Sequence, residues 1–82
     1  MNMKGNKLTV CLRNYSVLQK RIFFRNMSTD TIFFVSWSNK GIASGAYCFL
    51  VCDDGDYLVV RLADKNTTFN IPLSLISTVV FY

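Results

Sequence analysis

Residues 45–62, GAYCFLVCDDGDYLVVRL, decide how this chain is read, because two apolar runs meet there at Asp53-Asp54-Gly55-Asp56. An Asp-Gly pair supplies the positive φ angles of tight turns whose twist matches that of paired strands, so the stretch is expected to be a β-hairpin. In its first arm Tyr47, Phe49 and Val51 fall on one side, and Ala46, Cys48, Leu50 and Cys52 on the other. Neither side is polar, and a strand apolar on both sides is expected to be covered on both. The return arm, residues 57–62, sets Leu58, Val60 and Leu62 against Tyr57, Val59 and Arg61.

Upstream of the hairpin, residues 8–13 alternate strictly, with Leu8, Val10 and Leu12 opposite Thr9, Cys11 and Arg13, the pattern of a half-exposed strand. Asn14, Tyr15 and Ser16 form a short connection. Residues 17–25, VLQKRIFFR, admit two readings. As a strand they put Leu18, Ile22 and Phe24 inward and Gln19, Arg21, Phe23 and Arg25 outward. As a helix they place Val17, Leu18, Arg21, Ile22 and Arg25 at spacings of three and four. The Phe23-Phe24 pair and the strand signals that follow favour the strand. Residues 26–30 are a polar loop, and residues 31–37, TIFFVSW, are β-branched and aromatic, hence another strand. Ser38-Asn39-Lys40-Gly41 reads as a second hairpin turn with Asn39 or Gly41 left-handed, and Gly45 as the bulge or bend that curls the sheet.

Downstream, residues 63–66 turn, residues 67–71 form a short strand, Pro72 ends its pairing, and Leu73, Ser74 and Leu75 make one tight helical turn before a closing strand at residues 77–82. A strand running into Ile71-Pro72, a single 3₁₀-like turn, Ile76 and a final strand resembles the end of SH3-like and Sm-like small β-barrels. The expected fold is therefore all-β: one domain over residues 1–82, with residues 1–7 a flexible N-terminus. It is a small antiparallel meander curled into an SH3-like barrel or sandwich of roughly five to seven strands. Leu8, Val10, Leu12, Ile22, Phe24, Leu50 and Val60 are its expected core.

Of the 82 residues, 51% are apolar and 17% charged, more apolar content than so small a core needs, which points to an interface. The longest apolar run is the seven residues 46–52, against ~20 for a membrane span, and no signal-peptide pattern precedes it, so a cytoplasmic protein without membrane contact is expected. Three cysteines, an odd number, suit free thiols. Cys48 and Cys52 would lie ~13 Å apart along a strand, too far for a disulfide, and are expected to be buried. The chain has no His, which removes the usual general base, metal ligand and pH switch, and no base stands ready to activate Cys11, Cys48 or Cys52. Asp53, Asp54 and Asp56 are the only clustered carboxylates, and a chain without Glu cannot close an EF-hand loop around them. No catalysis, metal or cofactor is expected.

Two function classes remain. The expected function is a non-catalytic interaction module that binds a protein partner or assembles into a homo-oligomer. Its expected interface residues are Phe33, Val35, Trp37, Tyr47 and Phe49, from strands apolar on both sides. By fold-level analogy, such modules are frequent as inhibitors or regulators in viruses and mobile elements. The alternative is a binder of single-stranded nucleic acid or nucleotides. If the first two strands pair, Arg13, Arg21, Phe23 and Arg25 emerge on one surface, joined by Arg61, with Lys4, Lys7 and Lys20 near in sequence. Arginines interleaved with an aromatic ring offer charge for phosphates and a face for base stacking, and a net charge of +4 suits such a ligand.

Overall fold

The computed structural model describes residues 7–82; Lys4 and the rest of the expected flexible N-terminus before Lys7 lie outside the described residues. In chain order the elements are β1 (Leu8–Cys11), α1 (Val17–Arg25), β2 (Ile32–Asn39), β3 (Ile42–Asp54), β4 (Tyr57–Leu62), β5 (Thr68–Pro72), a 3₁₀ turn (Leu73–Leu75) and β6 (Ile76–Phe81). Among the described residues the six strands form one antiparallel sheet in the order β1-β6-β2-β3-β4-β5, so the all-β class holds. The sheet is open, with β1 and β5 as its edges, and it curls. Trp37 of β2 and Phe69 of β5 lie three strands apart in the sheet order, ~14 Å if it were flat, yet their ring centroids are 5.7 Å apart.

The β3–β4 hairpin forms where expected, one residue later than the Asp-Gly pair implies. Asp54 pairs with Tyr57, so Gly55-Asp56 is the two-residue loop, and Gly55 (φ 63°) supplies the positive angle at its first position. In the β2–β3 turn the left-handed residues are Lys40 and Gly41, at φ 53° and 82°, as a type I′ turn requires, while Asn39 pairs with Ile42.

The preference for a strand at residues 17–25 is overturned, because this segment is α1. Ser16 caps it: Gln19 N donates to Ser16 Oγ at 3.1 Å and Ser16 N donates to Gln19 Oε1 at 2.8 Å. This capping box satisfies two donors that a helix start leaves free, and the Leu, Gln, Lys and Arg that follow are good helix formers. Helical spacing brings Val17, Lys20 and Phe24 to the inner side, and Phe23 packs at its margin. Leu18 and Ile22 face out at 60% and 50% exposure, so Ile22 is not in the core.

The core joins Leu12 and Phe24 to Phe33, Val35, Cys48, Leu50, Leu58, Val60 and Val79 of the sheet, closed by Ile71, Leu73 and Ile76 around the 3₁₀ turn. Each of the larger side chains contributes about 1.5–3 kcal/mol by leaving water. Val10 is half-buried, whereas Leu8, opposite Phe81 on an edge strand, is exposed. Between Leu50 and Cys52 the β3–β4 register slips by one residue, leaving Val51 as a bulge. Inward residues are even-numbered before the bulge (Cys48, Leu50) and odd-numbered after it (Asp53, opposite Leu58), which turns Cys52 out to solvent instead of burying it. Gly45 is not the bulge. It pairs in register with Ser36, and the Phe34 ring lies so close above it that a Cβ there would collide with Phe34 Cζ.

Candidate functional site

The cations of α1 have partners within the chain. Arg21 donates to the Gly55 carbonyl from Nε (3.2 Å) and Nη2 (2.7 Å) and lies 3.6 Å from the Asp56 carboxylate. Arg25 Nε donates to Asp53 Oδ2 at 3.2 Å. The bulge makes this possible, because it points Asp53 to the helix side of the sheet. Lys20 is 3% exposed and its Nζ donates to the Ser74 carbonyl at 3.2 Å; burial lowers its pKa below the ordinary lysine value. These residues clamp α1 onto the β3–β4 turn and the 3₁₀ turn. Arg13 is exposed in the turn after β1 and Phe23 is half-buried against Phe24 and Phe81, so the expected arginine surface does not assemble.

A different constellation does. Strand pairing aligns Thr9, Val80, Phe34 and Tyr47 in one row across the outer face of β1, β6, β2 and β3. A neighbouring row runs Ile32, Phe49, Arg61 and Thr68 across β2 to β5. Because α1 packs on the core side, this face stays open among the described residues, with Ile32, Tyr47 and Tyr82 at 41%, 51% and 53% exposure. The expectation that β3 is covered on both sides is thus corrected. Phe34 stands edge-on to Tyr47 (centroids 4.8 Å, 63°), and Tyr47 neighbours Tyr82 (5.6 Å), their hydroxyls 3.2 Å apart. That hydroxyl contact, with a smaller contribution from burial, raises the Tyr82 pKa. Absence of a side chain at Gly45 lets the Phe34 ring lie down on the sheet.

Cations border these rings. The Arg61 guanidinium lies 4.8 Å from the Phe49 centroid, and Lys7 Nζ lies 5.8 Å from that of Tyr82. Beside Phe34 and Tyr47 opens a pocket of about 590 Å³ that also reaches Leu62, Asp64 and Lys65. Its lip is held in place: Ala63 N donates to the Tyr47 carbonyl at 2.9 Å, and Lys65 N to the Leu62 carbonyl at 3.4 Å. Three of the five carboxylates, Asp53, Asp54 and Asp56, lie instead at the β3–β4 turn.

The five expected interface residues divide between the two sides of the sheet. Phe33 and Val35 are fully buried and belong to the core, a correction that follows from their facing α1 rather than solvent. Trp37 packs partly against the same core, while Tyr47 and Phe49 lie on the outer face together with Arg61. Sequence reasoning missed Ile32, Phe34 and Tyr82 there, and it set Lys7 beside the expected arginine surface instead. Once residues 33 and 35 are inward, alternation alone sends 32 and 34 outward. Among the described residues no helix is long and apolar enough to cross a membrane. Compared with protein-family models, curated proteins and solved structures, the chain matches none.

Proposed function

We propose that the protein is a non-catalytic binder of single-stranded nucleic acid and that the outer sheet face is its binding surface. The observation that carries this reading is the open ring cluster of Phe34, Tyr47 and Tyr82, bordered by Lys7, Arg61 and Lys65 while most carboxylates sit elsewhere. Bases of any identity stack on aromatic rings for ~1–3 kcal/mol each, and cations beside the rings meet the phosphates. The run of β5 into Ile71-Pro72, the 3₁₀ turn and β6 is similar to the end of SH3-like and Sm-like small barrels, a likeness of architecture that leaves function to the site.

The protein-interaction reading, placed first on composition, is weakened in two ways. Two of the expected interface residues, Phe33 and Val35, lie in the core and are out of reach of a partner. A second copy laid face to face would also set a net positive patch, Lys7, Arg61 and Lys65 against the single carboxylate of Asp64, opposite its own like, which opposes self-association.

Fluorescence anisotropy with a labelled single strand about a dozen nucleotides long, in about 50 mM salt, tests the proposal. Affinity should fall with salt at a log–log slope of ~0.7 per phosphate contacted, and Arg61→Ala should reduce that slope by about one contact. Tyr47→Ala should lose ~1–3 kcal/mol of binding with the slope unchanged. Equal affinity for a duplex, or indifference to both substitutions, sinks the proposal. A concentration-dependent dimer abolished by Tyr47→Ala, without oligonucleotide binding, puts self-assembly in its place.

A further inference from the structure

Resting on that reading, we propose that the pocket beside Phe34 and Tyr47 seats a guanine base, recognised through the carboxylate of Asp64. At about 590 Å³ the pocket is within the ~300–1,000 Å³ range of small-molecule sites. It offers apolar walls from Phe34, Tyr47 and Leu62 and two charged groups, Asp64 and Lys65, at its lip. Among the described residues neither charged group takes part in an ion pair or a side-chain hydrogen bond, so both are free to meet a ligand. The turn that carries them is tied to β3 through the Ala63 N to Tyr47 carbonyl bond, which fixes the lip relative to the stacking rings.

A carboxylate accepts hydrogen bonds and donates none, and this selects among bases. Guanine presents two adjacent donors, N1–H and the N2 amino group, which match the two oxygens of a carboxylate. Adenine and cytosine each pair one amino donor with a ring-nitrogen acceptor that a carboxylate repels. Thymine and uracil flank their one N–H with two carbonyl acceptors. Lys65, next in the chain, stands where it can neutralise a phosphate of the same nucleotide and offset the repulsion Asp64 exerts on the backbone.

The experiment is a set of thymine strands, each with a single central guanine, hypoxanthine, adenine or cytosine, titrated against the full chain and against Asp64→Asn. The guanine strand should bind about tenfold or more tighter than the adenine and cytosine strands, with hypoxanthine, which lacks the N2 amino group, in between. Asp64→Asn should erase the preference while the all-thymine strand binds as well or better. Binding of all strands with equal affinity overturns the guanine pocket and leaves the nucleic-acid reading standing. Binding of none overturns that reading, and guanosine monophosphate then separates the two: Asp64-dependent binding of it over adenosine monophosphate supports the same pocket on a free nucleotide, and no binding sinks the pocket as well.

Discussion

Phe33 and Phe34 are adjacent on β2, yet the first is sealed between Phe24 and Phe81 while the second lies on the opposite side of the sheet over Gly45 and against Tyr47. The arginines show the same division. Arg21 and Arg25 are held by a backbone carbonyl and by carboxylates, whereas Arg61 rests on an aromatic ring. Residue type therefore does not separate structure from function in this chain. What separates the two phenylalanines is the face: the inner face closes on α1, and the outer one leaves rings and cations exposed, where the proposed binding would use them.

The two faces should differ most at Phe33 and Tyr47. Phe33→Ala should cost about 3–5 kcal/mol in denaturant unfolding, because it opens a cavity in the core, while Tyr47→Ala should cost less than ~1 kcal/mol. Similar losses at the two positions would mean that the outer face is also structural.

The thiols sharpen this difference next. Burial pushes the Cys48 thiol from 9.0 up to about 12, while Cys11 and Cys52 are exposed. In the native protein a thiol reagent should label Cys11 and Cys52 and spare Cys48 until unfolding. Since the folded pKa is raised, the stability Cys48 contributes is complete below pH 9 and is lost as the pH rises through about 12, of order a few kcal/mol across that window. Comparison with Cys48→Ala isolates this from other alkaline titrations, and identical pH profiles would contradict it. A smaller effect is expected at the clamp: Arg21→Ala should lose about 1–2 kcal/mol with its bonds to Gly55, and no loss would show that α1 is held by apolar packing alone.

Most of the sheet was legible, because residues 8–13 alternate with a period of two, residues 31–37 and 57–62 are rich in β-branched and aromatic residues, and the hairpin turns carry Gly. The 3₁₀ turn Leu73–Leu75 followed from Pro72. The helix was misread because Phe23-Phe24 outweighed the Ser16 to Gln19 capping box, a local signal that was present. Three other features depend on long-range geometry that no local pattern carries. The Val51 bulge reverses inside and outside halfway along β3, Arg21 and Arg25 meet carboxylates roughly thirty residues away, and the curl sets Trp37 beside Phe69. The site was only half visible for the same reason. Tyr47, Phe49 and Arg61 were named, but their grouping with Phe34 and Tyr82 needed the register of the sheet.

The most direct test maps amide chemical shifts on adding a single-stranded oligonucleotide at low salt. Shifts should gather on Phe34, Tyr47, Phe49, Arg61 and Tyr82, with Arg21 and Arg25 of α1 unmoved. Shifts centred on α1 and the β3–β4 turn, or none anywhere, would contradict binding at the outer face.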